Sequence, residues 1–137
     1  MDKRLFFLIN KVQHKIYKYA DQRCDAEFDC SASQIGAMLY IAKNDGCLVK
    51  ELAHALGLNK PGISGLTQRM EKNDLIIKSP CESDGRAFRL SLTPNGQAKV
   101  PVALALIQEM NQGLTEGFSE QEIATVIKFL NRTLERF

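Results

Sequence analysis

Only two histidines stand among the 137 residues, and the four cysteines, Cys24, Cys30, Cys47 and Cys81, form no C-x-x-C pair. Their separations of 6, 17 and 34 residues suit no zinc-ligand pattern, so no metal site is expected. No stretch approaches the roughly 18 apolar residues of a membrane helix. The polar residues Asn10, Lys11, Gln13, His14 and Lys15 come too early for the apolar core of a secretory leader. A cytoplasmic protein without a membrane partner is expected, its thiols kept reduced. The sequence has no internal repeat, low-complexity tract or linker. It has no phosphate-binding loop and no Ser/His/Asp pattern, and His14 and His54 are single residues on helical stretches. The expectation is therefore no enzyme, no catalytic residue and no cofactor. A charge excess of one sign is absent too: 18 bases against 16 acids leave a net charge of +2, which does not announce nucleic-acid binding by itself.

What is present is periodic. The length fits one domain with one core. Leu5, Leu8, Ile9, Val12, Ile16 and Tyr19 form a helical stripe over 5–23, followed by a polar, acidic loop over 24–31. Ser33-Gln34 opens a second helix with Ile35, Met38, Leu39 and Ala42 on one side, closed by Asn44-Asp45-Gly46. Two short helices follow, over 49–56 and from about Lys60 to Asn73. Gly57 suits a left-handed residue between them, Asn59 suits the cap of the second, and Pro61 lies in its first turn. The period then falls to two. Residues 75–79 and 89–92 read as strands around a polar turn over 80–86. Thr93-Pro94 starts a long helix to about Glu116, and the capping box Ser119–Glu122 opens a last one, with Ile123, Ile127, Leu130, Leu134 and Phe137 along one seam.

The pair of short helices carries the functional signal. Ala53 and Gly57 allow a close crossing, and Leu52, Leu56, Leu58, Ile63 and Leu66 supply a local core. The outer face of the second helix is left polar or bare by Lys60, Gly62, Ser64, Gly65, Gln68 and Arg69. Each glycine costs about 1 kcal/mol relative to alanine inside a helix, which points to close approach of the helix to a DNA backbone. Lys60 and Arg69 are expected on phosphates, with Ser64 and Gln68 on base edges. Helix, helix, strand, strand is the order of a winged helix-turn-helix. Residues 60–90 carry six bases against four acids, whereas 24–59 carry two against five.

The stretches VKELAHALGLNKPGISGLTQRMEKNDLI (Val49–Ile76) and ESDGRAFRLSLTPNGQA (Glu82–Ala98) resemble the MarR family of bacterial regulators, as does the opening of the second helix. Asp84, Arg86, Leu92, Thr93 and Gly96 carry the most specific part of the resemblance. The resemblance implies a mainly α fold with a small β-hairpin wing: a single winged helix-turn-helix domain over 1–137, with dimerisation helices at 5–23 and 97–137. The DNA-binding part would cover 33–93, with the wing at about 75–92. It further implies a homodimeric repressor on a double-stranded, pseudo-palindromic operator. Arg86 would enter the minor groove, oriented by Asp84 through a charge-assisted bond, and a small ligand or an oxidant would control DNA binding. An apolar or aromatic ligand is the default, in a pocket drawn from Ile16, Met38, Tyr40 and Ile107. Cys24 and Cys30 are the candidate redox pair, although their acidic surroundings raise a thiol pKa rather than lower it. The chain departs from the family at Leu48, where threonine is frequent. It departs again at Gly65 and Gly85, where arginine is, and at Asp74, where glycine is; aspartate tolerates the left-handed backbone that glycine would adopt there. The alternative reading is a winged helix kept for protein–protein contact, without sequence-specific DNA binding.

Overall fold

The computed structural model describes residues 4–28 and 31–137. In chain order its elements are α1 (Leu5–Phe28), α2 (Ala32–Lys43), β1 (Cys47–Leu48), α3 (Val49–Leu56), α4 (Lys60–Lys72), β2 (Ile76–Cys81), β3 (Asp84–Leu92), α5 (Pro94–Thr115) and α6 (Glu120–Arg136). The chain forms two compact units, one up to Leu104 and one over Ala105–Phe137. The fold is the expected winged helix: helices with a small antiparallel sheet.

The core of the first unit is built from the stripes that the sequence marks. Ile35, Met38 and Ile41 of α2, Leu52 of α3, Leu66 and Met70 of α4, and Leu75 and Leu90 beside and within the sheet are all buried. Burying an aliphatic side chain of this size contributes about 1.5–3 kcal/mol, so these positions hold α2, α3, α4 and the sheet as one body. The strand order is β1-β3-β2. Ile76 faces Leu92, Lys78 faces Leu90 and Pro80 faces Phe88, with an irregularity between Pro80 and Cys81. Ile76, Leu90 and Leu92 point inward while Ile77 points out, as the pleat requires.

Four elements differ from expectation. Helix α1 continues to Phe28 rather than stopping at Arg23, because Ala20 and Cys24, four residues apart, extend its buried stripe. Helix α2 starts at Ala32, where the Ser31 hydroxyl accepts the amide of Gln34 at 3.4 Å. The hairpin is longer, since pairing continues to Cys81 and Asp84 and leaves only Glu82 and Ser83 at the tip. Strand β1 is too short to leave a period in the sequence. It is held to β3 by Gly46 N–H on the Leu90 carbonyl at 2.9 Å, while Arg89 Nη1 donates to the Gly46 carbonyl at 2.8 Å.

In the second unit α5 ends at Thr115, and Gly117 turns the chain at φ 85°. The capping box of α6 forms as expected: the Ser119 hydroxyl accepts the Glu122 amide at 3.1 Å, and Glu122 Oε1 accepts the Ser119 amide at 3.0 Å. No residue of α6 is buried within the chain. Among the described residues no helix is long and apolar enough to cross a membrane, and no His/Cys/Asp/Glu cluster could hold a metal ion.

Candidate nucleic-acid interface

Helix α3 ends at Gly57, whose left-handed φ of 67° turns the chain toward α4. Asn59 caps α4 by accepting the Gly62 amide at 2.9 Å, and Pro61 sits where no helical amide is missed. At the start of α3, Leu48 lacks a capping side chain, and Glu51 Oε1 accepts the Leu48 amide at 2.9 Å instead. The exposed N-terminus of α4, at Asn59, Lys60 and Pro61, carries the positive end of a helix dipole, a favourable arrangement for phosphate.

The far end of α4 is tied to α5. Asp74 adopts the left-handed conformation at φ 56°, as its replacement of glycine suggested. Its carbonyl accepts the Thr93 hydroxyl at 2.6 Å and Asn95 Nδ2 at 3.1 Å. Thr93 Oγ1 in turn accepts the Gly96 amide at 2.9 Å, and the Thr93 amide donates to the Leu75 carbonyl at 3.0 Å. Asn73 Nδ2 reaches Gln34 Oε1 of α2 at 3.0 Å. Helix α4, the sheet and α2 are thus locked in register by short polar bonds at one end.

The wing rises beside the other end. An open groove of about 770 Å³ runs between α3, α4 and the hairpin, with Lys60, Ser64 and Arg86 among its walls. Its floor is apolar at Ala53, Leu58 and Ile63. Of the predicted residues, Lys60, Ser64, Gln68, Arg69, Asp84 and Arg86 are exposed, and Gly62 and Gly65 are half-exposed. The groove joins Lys60, Ser64 and Arg86; Gln68 and Arg69 lie outside it on the same helix. A Cβ on Gly62 would come within 3.1 Å of Asn59 Oδ1, which supplies a local reason for that glycine in addition to any contact with DNA.

Asp84 differs from expectation. Its Oδ1 accepts the backbone amide of Arg86 at 3.0 Å, so the carboxylate shapes the turn rather than gripping the guanidinium. Sequence reasoning also missed Lys50, His54, Lys78 and Phe88, which line the groove. Lys78 is bound to Glu71 at 3.1 Å and lies 5.9 Å from the centre of the Phe88 ring, so its charge is partly spoken for. Lys78 pairs with Leu90 and Phe88 with Pro80, so the two side chains lie diagonally across the paired strands.

Of the candidate effector and redox residues, Ile16, Cys24, Met38 and Tyr40 belong to the first unit and Ile107 to the second. Met38 is core, Ile16 is half-buried, and Ile107 is exposed in the second unit. Tyr40 lines a hollow of about 290 Å³ with Leu39, Val100 and Leu104. Cys24 is buried within α1 rather than in a loop, and Cys30 lies outside the described residues. Burial and the charge of Glu51 push the Cys47 thiol up, whereas hydrogen bonds from Ser83 hold the Cys81 thiol below its ordinary value.

A capped helix-turn-helix followed by a β-hairpin defines a winged-helix fold. The MarR family model matches residues 28–87. The chain is similar to S. aureus MepR in complex with DNA, at 25% identity over 99% of this chain and 100% of that one, with a TM-score of 0.90. It is also similar to a mutant E. coli MarR bound to operator DNA, at 22% identity, over 96% and 94% of the two chains, with a TM-score of 0.86. A third similar structure is Bordetella bronchiseptica BpsR, described with regulation of its DNA binding by 6-hydroxynicotinic acid, at 17% identity, over 96% and 93%, with a TM-score of 0.86. Over residues 28–87 the chain thus matches the MarR family, and the structures of similar fold include regulators bound to DNA.

Proposed function

We propose that the protein is a cytoplasmic, homodimeric repressor that binds a pseudo-palindromic operator and releases it under control of a small ligand. The observation that carries the reading is the joint exposure of Lys60, Ser64 and Arg86 around one groove, with the exposed N-terminus of α4 beside them. Residues 33–93 form the DNA-binding part, with α4 in the major groove and the wing arginine in the minor groove. A narrow minor groove has an enhanced negative potential, and a guanidinium sheds water readily. Residues 5–23 and 97–137 serve dimerisation. Control by a small apolar or aromatic ligand is supported by the Tyr40-lined hollow and by the ligand regulation described for BpsR.

The test is a salt titration of binding to genomic fragments, with wild type and Arg86→Ala. Wild-type affinity should fall steeply with salt, because each phosphate contact releases counterions. Arg86→Ala should bind the selected fragment at least tenfold more weakly, about 1.4 kcal/mol. Its log–log salt slope should shrink by roughly one unit per subunit. Folding should be unchanged, since Arg86 is exposed. Salt-independent or absent DNA binding by the folded wild type would favour the protein–protein module.

A further inference from the structure

Gly65 stands in the middle of the outward face of α4. Pro61, Gln68 and Arg69 surround it, while Ile63, Leu66, Thr67 and Met70 fill the opposite, buried side. A position with no side chain on such a face should be open to solvent, yet Gly65 is only partly exposed. The cover is Arg69. A Cβ placed on Gly65 would lie 3.3 Å from Arg69 Nη1, and it would meet no other described group within 4 Å beyond its chain neighbours and the helix backbone. Long helical side chains lean toward the N-terminus and cover the preceding turn. Arg69 reaches back over position 65 in this way, where no side chain stands against it. The neighbouring ion pair joins Glu71 to Lys78 and leaves Arg69 out, and Thr67 is turned inward, its hydroxyl donating to the Ile63 carbonyl at 2.9 Å.

The consequence is a displacement of function along the helix. Four residues of helix rise about 6 Å. Arg69 is rooted in the second half of α4, where side chains ordinarily meet phosphate. Its guanidinium is delivered to the first half, which faces base edges when a recognition helix enters the major groove. We propose that Arg69, laid over Gly65, is the specificity-determining side chain of α4. It reads a guanine in each half-site through bidentate hydrogen bonds to O6 and N7. Gly65 is a positioning residue: its bare Cα is the track along which the arginine lies. This assignment rests on the sequence-specific DNA binding proposed above and moves Arg69 from the phosphates to the bases.

The test is selection of bound sequences from a pool of randomised duplexes. Wild type, Gly65→Ala, Arg69→Ala and the double variant are compared, with helicity recorded for each. Wild type should select a motif with a fixed guanine in each half-site. Arg69→Ala should lose that preference by roughly tenfold while keeping the rest of the motif. Gly65→Ala raises helix propensity and should fold at least as well, yet weaken the same guanine preference. In the Arg69→Ala background, Gly65→Ala should change nothing further. If Arg69→Ala lowers affinity equally for every sequence, Arg69 is a phosphate contact and the proposal falls while the regulator reading stands. If Gly65→Ala weakens binding as much without Arg69 as with it, the glycine serves close approach to DNA, and its role as a track falls. If wild type selects no motif, the sequence-specific reading itself fails.

Discussion

Single side chains in this molecule act through the backbone more often than through each other. Asp84, Asn59, Glu51 and Glu122 each accept an amide proton at a turn or helix start. Glu122 yields a sharp pH prediction. The amide and hydroxyl of Ser119 hold its carboxyl below the usual carboxylate range, because both stabilise the ionised form. In the unfolded chain that help is gone, so the box contributes fully at neutral pH. The contribution is lost as pH falls through the ordinary value and then the lowered one. A carboxyl titration followed by NMR should give Glu122 a lower midpoint in the native protein than in a Ser119→Ala variant, and that variant should lose about 1 kcal/mol of stability. Equal midpoints would show that the Ser119 hydroxyl does not act on the Glu122 carboxyl in solution. At this scale the sequence was informative wherever a residue type has one dominant local use. Ser119 with Glu122, Asn59 before Pro61, and Asp74 in place of a glycine all behave as their chemistry suggests. It was silent on partners distant in the chain. Nothing in the Asp84-x-Arg86 spacing distinguishes a carboxylate bound to a guanidinium from one bound to an amide, and only the turn geometry decides it.

Elements were legible in proportion to the length of their pattern. The two short helices and α6 follow the apolar spacing, whereas β1 has two residues and no period to read. The end of α1 was missed because the polar residues at 21–25 hide the buried pair Ala20 and Cys24. The contact between elements most open to test is the approach of α5 to the turn after α4. A Cβ on Gly96 would overlap the Leu75 carbonyl oxygen, a backbone atom that cannot move without disturbing the bond from the Thr93 amide. Gly96→Ala should therefore destabilise by about 1–3 kcal/mol, overriding the roughly 1 kcal/mol that alanine gains in a helix. Gly36, inside α2, is the control. Its Cβ would meet only Leu56 Cδ2 at 3.8 Å, an ordinary contact. Gly36→Ala should stabilise by about 0.5–1 kcal/mol. Denaturant midpoints of the two variants should move in opposite directions. A stabilised Gly96→Ala protein would mean that α5 does not approach Leu75 in solution as closely as described.

For the molecule as a whole the question is what covers the apolar surface the chain leaves bare. In α1, Leu5, Phe6, Phe7, Leu8 and Val12 are exposed. In the second unit Leu114, Phe118, Ile127, Leu130, Leu134 and Phe137 are exposed, and α6 buries no residue at all. Yet α6 repeats its apolar residues at Ile123, Ile127, Leu130 and Leu134 along one side, with charged residues elsewhere. A lone exposed leucine needs no explanation, but soluble monomers rarely expose such faces whole. Most of the stability of a helix such as α6 comes from packing its apolar face, and none of its residues is buried within the chain. Its own sequence therefore demands a partner surface, and the economical candidate is a second copy of the chain, which brings the same faces in self-complementary form. Two copies would also present two α4 helices, as the proposed pseudo-palindromic operator would require. In solution at micromolar concentration the protein should have twice the mass of a single chain by light scattering. Ile127→Asp with Leu134→Asp should shift it toward the monomer, with loss of α6 helicity and of tight operator binding. The α2–α4 core and the wing should stay folded, since their buried residues come from the first unit. A wild-type protein of single-chain mass would remove the dimer. A double-aspartate variant that remains dimeric would place the subunit interface on α1 rather than on the α6 seam.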